Sequence, residues 1–496
     1  MYELALFLSL LCFLVVSSFF SMHRSFSVFH PLTIYCAFHG LVFVIRPIVA
    51  WVMKYDLIYG YFQFTPSPND KLTVLYASNL GFLIFAATCW RAGNRAMTFK
   101  LDTITLRERA RLRPLFFAVA AICVPIGAYS LATGWNSAIA TGSAFSGMAH
   151  DTATGVSFNL DSNGYLVEAQ LMLASCGAIA AWLFRFRLLA ILPILGFVVV
   201  RAGTGGRGPF VTALVTVGLL YLYEHRRRLP GAGFLAMVPV LLIAFQAIGD
   251  DRGAAVRRIV GNDATSQVFG PSRVGERPLE GMDFANLEFF EYAVYVVPQR
   301  SHTYSYFSGI LQIFTEPIPR ALWKDKPIGA PIDRIHLFSY GRPIGMTGSL
   351  PGEGWMSLGW IGVVLWCGLW GWALGVIYRK FVDGQQGTIQ TIAYMTFVPV
   401  LIVAFRDGQL ITIFRQGIFF FAPIVLWWAL ARTLGVPSAG TVRTALMRWR
   451  LSESHARVGP LGRKTTCPGL VKSGIPAAVL RRRIALAEPE EPARAS

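Results

Sequence analysis

Three groups of basic residues have the types and spacing to hold a phosphate-bearing ligand. The first is Arg201-Ala-Gly-Thr-Gly-Gly-Arg207-Gly-Pro. Its glycines let backbone approach a ligand closely, and its two guanidiniums offer the paired contacts that suit a diphosphate. The second is Arg406-Asp407-Gly-Gln with Arg415 shortly after. The third is the turn Ile318-Pro-Arg320-Ala-Leu-Trp323-Lys324-Asp-Lys326-Pro327, stiffened by its prolines, in which Trp323 suits a membrane interface. Acid–base candidates accompany them. Glu353, in Pro351-Gly-Glu-Gly-Trp355, could take a proton from a sugar hydroxyl, and His302 and His336 could act as bases. Each has a bland alternative. Arg201 and Arg207 could snorkel to lipid phosphates from a tight hairpin, Arg406 could pair only with Asp407, Glu353 could pair with an arginine, and lone histidines are often structural. Asp250, Asp251 and Asp325 have no spacing of a dedicated metal site, so neither metal nor cofactor is expected. A Gly-rich nucleotide loop of Walker or Rossmann type is absent from the sequence, which argues against an ATP-driven or nucleotide-sugar enzyme.

The elements that must position these residues are membrane helices. Hydrophobic residues make up 54% of the 496, and charged residues only 15%, where a soluble domain is nearer a quarter charged. The apolar residues fall in continuous blocks of the length that crosses ~30 Å of hydrocarbon, which excludes a β-barrel. The expected fold is an all-α polytopic bundle of about eleven transmembrane helices. The spans are placed near 3–21, 31–53, 73–90, 114–132, 164–184, 188–201, 209–223, 232–248, 355–378, 388–405 and 414–432. Residues 1–248 hold eight of them, 249–352 form one large loop, 353–432 hold the last three, and 433–496 form a basic, disordered tail. Residues 1–21 lack a basic leader, so they read as a retained first helix.

Orientation follows from Lys and Arg in short connections. The segment Arg91–Arg113 carries seven basic and two acidic residues, and the tail after 432 carries eleven and four. Arg185 with Arg187, Arg226 to Arg228, and Arg379-Lys380 mark three more basic turns. Eleven spans put all five on one side, taken as cytoplasmic. The N-terminus and the loops 54–72, 133–163 and 249–352 then lie outside. The island 249–352 is neutral, with eleven basic and eleven acidic residues, so the net charge of +18 resides on the cytoplasmic side. There it meets anionic lipid rather than nucleic acid. Six of the seven cysteines sit in spans and Cys467 in the tail, which suggests no disulfide framework. Segment 133–163 reads as irregular. Segments 285–297 and 304–314 read as short amphipathic helices on the membrane interface. Arg46 lies inside a span with no role evident from sequence.

At these residues the chain resembles the Wzy-type polymerases of bacterial O-antigen and related polysaccharides. The resemblance rests on Gly205-Gly206-Arg207-Gly208, on Pro319-Arg320, Trp323 and Lys326-Pro327, and on Glu353 leading to Gly359-Trp360-Ile361-Gly362. It covers about 200 to 420. Arg207…Gly218 and Arg406…Gly417 also fit an Arg-x10-Gly pattern of that family, though glycine is common enough here to match by chance. The resemblance implies a multi-pass protein of the bacterial inner membrane with a periplasmic N-terminus and a cytoplasmic C-terminus. Its partners would be undecaprenyl-diphosphate-linked glycans and membrane lipids, with a chain-length regulator and a flippase nearby. It also implies glycosyl transfer from one lipid-linked chain to the end of a lipid-linked repeat unit. Arg207, Arg406, Glu353 and His302 would be catalytic, and Arg201, Arg320, Lys324, Lys326 and Arg415 would bind the lipid diphosphate. Arginines suit the charge that develops on the leaving diphosphate. Two other readings stand beside it: an O-antigen ligase, with the same chemistry and a different acceptor, and a flippase or transporter, which would need ionisable groups at mid-membrane.

Overall fold

The computed structural model describes residues 1–141, 148–150, 157–159, 168–204, 207–234, 236, 279–281, 284–318, 322–323, 326, 330–341 and 347–458. The chain is a helical, multi-pass membrane protein. Its long apolar helices are α1 (Tyr2–Ser21), α2 (Pro31–Met53), α4 (Pro68–Ala92), α5 (Thr103–Thr141), α10 (Leu350–Asp383), α11 (Thr388–Asp407) and α12 (Leu410–Thr433). These seven are long and apolar enough to cross a bilayer. A short helix α3 (Leu57–Phe62) lies between α2 and α4, and three shorter apolar helices join the bundle: α6 (Leu171–Leu183), α7 (Leu188–Gly203) and α8 (Arg207–Glu224). The span expected at 232–248 lies almost wholly outside the described residues. Segment 133–163, expected to be irregular, begins as the last turns of α5. It also carries a small hairpin in which β1 (Met148–His150) pairs antiparallel with β2 (Ser157–Asn159).

Hydrogen bonds sort the connections into two ends of the bundle. At one end lie the basic turns. There Arg95 meets Asp383, Arg109 meets Glu224, Arg113 donates to the Leu183 carbonyl, and Arg226 donates to the Leu101 carbonyl. At the opposite end lies the island. Asp70 accepts from Gln299, Asn286 donates to the Arg406 carbonyl, and Arg415 meets Glu316. This sorting matches the alternation expected from the charge pattern.

The most extensive helix pair is α4 with α10. A Cβ at Gly371 would press on Thr88, and one at Gly375 would lie 2.5 Å from the Cys89 carbonyl oxygen, so glycine lets the two backbones approach. Helix α4 starts sharply because Ser67 and Asp70 cap each other's backbone N–H groups, with Pro68 in the first turn.

Two expectations need correction. The 285–297 segment forms α9 (Asn286–Val296), yet it does not lie on an interface. Glu288, Glu291, Phe290 and Tyr292 are all buried, because α9 is wedged against α4 and α10. Its sequence looked amphipathic because Glu288 and Glu291 are charged, but both find buried partners. Glu288 pairs with Arg46 at 2.8 Å, and Glu291 accepts from the Tyr59 hydroxyl at 2.6 Å. The tail expected to be disordered contains α13 (Ala439–Val458). Arg443 anchors it on Asp102 at 2.7 Å, and the Ala439 N–H donates to Glu108. Residues 459–496 lie outside the described set.

Candidate functional site

The site at the island end is built around a turn and a broken helix. Residues 406–408 join α11 to α12, with Gly408 at φ +73°. A Cβ there would collide with the Ser349 carbonyl, so only glycine fits. Three groups pin the turn. The Ser349 N–H and the Asn286 amide both donate to the Arg406 carbonyl at 2.7 Å, and the Trp366 indole N–H donates to the Gly408 carbonyl at 3.0 Å. Island, re-entry segment and bundle therefore converge on three residues.

Helix α10 is interrupted at Leu358 and at Gly359, which sits at φ +59°. The break folds its first two turns back, so that a Cβ on Gly354 would lie 2.7 Å from the Gly362 carbonyl oxygen. Ser349 caps the short first segment, its side chain accepting from the Gly352 N–H. Backbone N–H groups of Ser305 and Tyr306 pair with the Met356 and Ser357 carbonyls at the segment's end, satisfying carbonyls that a helix end leaves open. Glu353 thus stands on a buried stub rather than along a continuous span. The span expected at 355–378 is therefore not continuous, and its break falls at the first glycine of the Gly359-Trp360-Ile361-Gly362 segment on which the resemblance rests.

These pieces enclose a cleft of about 320 Å³, into which Glu353, Asp407, Gln409, Asp333 and Ser308 project beside the apolar wall of Phe289 and Met356. Glu353 Oε2, on the cleft wall, is buried without a hydrogen-bond partner among the described residues, and so, in the turn that carries Asp407, is Arg406 Nε. Buried polar atoms are nearly always paired, and an unpaired buried donor or acceptor is costly. The open oxygen of Glu353, on the cleft wall, therefore marks a place that an incoming polar ligand could fill.

The sequence-selected residues are distributed unevenly around this cleft. Glu353 lines it, and Arg406 leads into the turn that carries Asp407 and Gln409. Arg415, on α12, lies 3.3 Å from Glu316, and Lys326 lies 4.0 Å from the same carboxylate. Two of the three basic groups thus meet at Glu316. Arg201 is buried inside the bundle, where its guanidinium donates to the Gln170 side chain at 2.9 Å. His302 is exposed on a turn at φ +49°, its N–H bonded to the Pro298 carbonyl, and it does not line the cleft. His336 pairs with Asp333 at 3.4 Å on the surface. Arg207 begins α8, but its side chain lies outside the described set, as do Arg320 and Lys324.

Sequence reading treated Asp407 only as a partner for Arg406 and passed over Gln409, Asn286 and Glu316. Asp407 and Gln409 were legible in principle, since they flank a glycine between two spans next to an arginine. Asn286 gave no signal, because its role arises only when α9 is buried against the 406–408 turn. Among the described residues, no group of three or more His, Cys, Asp or Glu side chains is placed to hold a metal ion.

No family model, no curated protein and no solved structure matches the chain.

Proposed function

We propose that the protein is a membrane glycosyltransferase that joins lipid-diphosphate-linked oligosaccharide units at the membrane face where the island lies, with that face periplasmic. The observation that carries this reading is the cleft itself, with the carboxylates of Glu353, Asp407 and Asp333 on its walls and a buried oxygen of Glu353 left without a partner among the described residues. Transfer from a lipid diphosphate needs a base for the acceptor hydroxyl and cations for the departing diphosphate. Glu353 takes the first role, with Asp407 and Gln409 orienting the acceptor sugar. Arg406, assisted by Arg415 and Lys326, takes the second, holding charge that grows as the glycosidic bond breaks. The bond from sugar carbon to diphosphate oxygen breaks, and a bond to the acceptor oxygen forms. The acceptor proton passes to Glu353, and the lipid diphosphate leaves as an anion. No nucleotide is required. The polymerase form of this reaction, suggested by the resemblance to Wzy-type proteins, is favoured over the ligase and flippase readings. A flippase gains little from a carboxylate cleft at one end of the bundle.

The glycolipid profile of a deletion strain separates the three. Single lipid-linked repeat units at the outer leaflet support the polymerase. Accumulated lipid-linked polymer points to a ligase, and units trapped on the cytoplasmic leaflet point to a flippase. Complementation with Arg406→Ala should reproduce the deletion profile, and full-length polysaccharide from that variant would remove Arg406 from the reaction.

A further inference from the structure

Glu316 joins Arg415 and Lys326, and nothing so far gives it a role. Its carboxylate lies 3.3 Å from Arg415 Nε and 4.0 Å from Lys326 Nζ, and the Gln312 amide donates to it at 3.4 Å. Lys326 is held independently of that carboxylate, because its ammonium also donates to the Glu316 and Ile318 carbonyls at 3.0 and 3.2 Å. Arg415 is about half exposed. The chain on either side of Glu316 and just before Lys326 carries exposed apolar residues: Phe314 is 73% and Leu322 82% exposed, with Leu311 and Trp323 also outward.

Two cations about one carboxylate is the arrangement they would adopt about a phosphate. The contact is open to solvent on its Arg415 side, at 53% exposure against 20% for Glu316, and screening on that side keeps the pair modest in strength, so a stronger anion can displace the carboxylate. A diphosphate brings more charge and more acceptor oxygens, and so replaces one weak contact with several charge-assisted ones. These exposed aromatic and aliphatic residues add a surface for a hydrocarbon tail, which a free anion does not use.

We infer that Glu316 is a built-in occupant of a phosphate subsite. It keeps Arg415 and Lys326 together while the site is empty and swings aside for a lipid-borne diphosphate. The inference rests on the proposed reading of this end as a lipid-diphosphate site, and it adds a basis for selectivity. A singly charged lipid headgroup exchanges one negative charge for another and gains nothing over Glu316. A diphosphate gains, so the carboxylate screens out the bulk anionic lipids of the bilayer.

The test is calorimetric titration of the full-length protein in neutral detergent with farnesyl diphosphate, inorganic diphosphate and short-chain phosphatidylglycerol. The wild type should bind farnesyl diphosphate more tightly than inorganic diphosphate, and phosphatidylglycerol weakly. Glu316→Gln should tighten all three, by up to about fivefold, with the largest relative gain for phosphatidylglycerol. Glu316→Ala should agree with it, and Arg415→Ala should weaken binding. Unchanged or weaker binding in both Glu316 variants, with Arg415→Ala still weakened, would overturn the occupant role and leave the diphosphate reading standing. If the wild type binds none of the probes, or if Arg415→Ala binds like the wild type, both fall. Inorganic diphosphate binding as tightly as farnesyl diphosphate would overturn the lipid source.

Discussion

Glu108 and Glu224 at one end of the bundle and Glu353 and Glu288 at the other are treated differently. At the end with the basic turns, both oxygens of Glu108 are engaged. One accepts from the Thr388 N–H at 2.6 Å and its hydroxyl at 2.8 Å, and the other accepts from the Ala439 N–H at 2.9 Å. Glu108 thereby caps the first turns of both α11 and α13, where a negative charge also meets the positive ends of two helix dipoles. Glu224 is equally complete, with Arg109 on both oxygens and the Trp182 indole on one. At the island end Glu353 and Glu288 each keep a buried oxygen with no partner among the described residues. Saturated carboxylates hold helices together. A carboxylate left with an open valence beside a cleft is available to a substrate.

The sharpest way to break this contrast is to neutralise one carboxylate at each end. Glu353→Gln should lower glycan transfer by about 10²- to 10⁴-fold, the usual contribution of a positioned acid or base, while the thermal midpoint stays level or rises. Glu108→Ala should do the reverse. It orphans two buried backbone N–H groups and one hydroxyl, a destabilisation on the order of 3 kcal/mol, and activity per folded molecule should be preserved. The paired measurement is turnover with isolated lipid-linked units alongside thermal unfolding in detergent. Loss of turnover in folded Glu108→Ala, or loss of stability with full turnover in Glu353→Gln, would erase the distinction.

Glu291 sharpens the comparison at a smaller scale, because it is buried at the island end but away from the cleft. Burial pushes its carboxyl up to about 7. The neighbouring Glu288 adds to the rise, against the opposing pull of Lys71, the Tyr59 hydroxyl and Arg46. A raised carboxyl value means that the folded state keeps a proton which the unfolded state releases. Its contribution is therefore fully present below the ordinary value of 4.5, and it is lost as pH rises to about 7. That loss is about 3 kcal/mol at 1.36 kcal/mol per pKa unit. The thermal midpoint should fall across this window and level off above it. Glu291→Gln should lose that part of the slope, and identical slopes in wild type and variant would show that Glu291 titrates normally.

Much of this architecture was readable in the sequence because one physical requirement dominates it. A lipid-facing helix must be apolar over its whole length, so block lengths and basic turns place the spans and sort the two ends. The break in α10 was not readable in this way: the block at 355–378 is continuously apolar, and the glycines after Glu353 entered only through the family resemblance. What also could not be read were contacts between residues far apart in the chain. Glu288 and Glu291 gave 285–297 the pattern of a surface helix. Only the partners Arg46 and Tyr59, more than two hundred residues earlier, make that helix a buried one. The tail looked unstructured because α13 has little apolar surface, and what docks it is Glu108 and Asp102 on another helix. Glu316 belongs with these, since its meaning comes from Arg415, which is remote in sequence.

The smallest expected effect separates two ion pairs of similar length whose arginines are equally exposed. Arg95 and Asp383 lie 3.1 Å apart at the basic end, and their side chains are 52% and 49% exposed. Arg415 and Glu316 lie 3.3 Å apart at the island end, with Arg415 53% and Glu316 20% exposed. Pairs of this kind contribute roughly 0.2–1 kcal/mol, so Arg95→Ala and Arg415→Ala should both leave the thermal midpoint nearly unchanged. Their functional consequences should diverge. Arg95 only trims the surface between α4 and α10, and its loss should leave transfer intact. Arg415 stands where the diphosphate is proposed to sit, and its loss should raise the concentration of lipid-linked donor needed for half-maximal rate. Equal kinetics in the two variants would show that position at the island end gives an exposed arginine no function of its own.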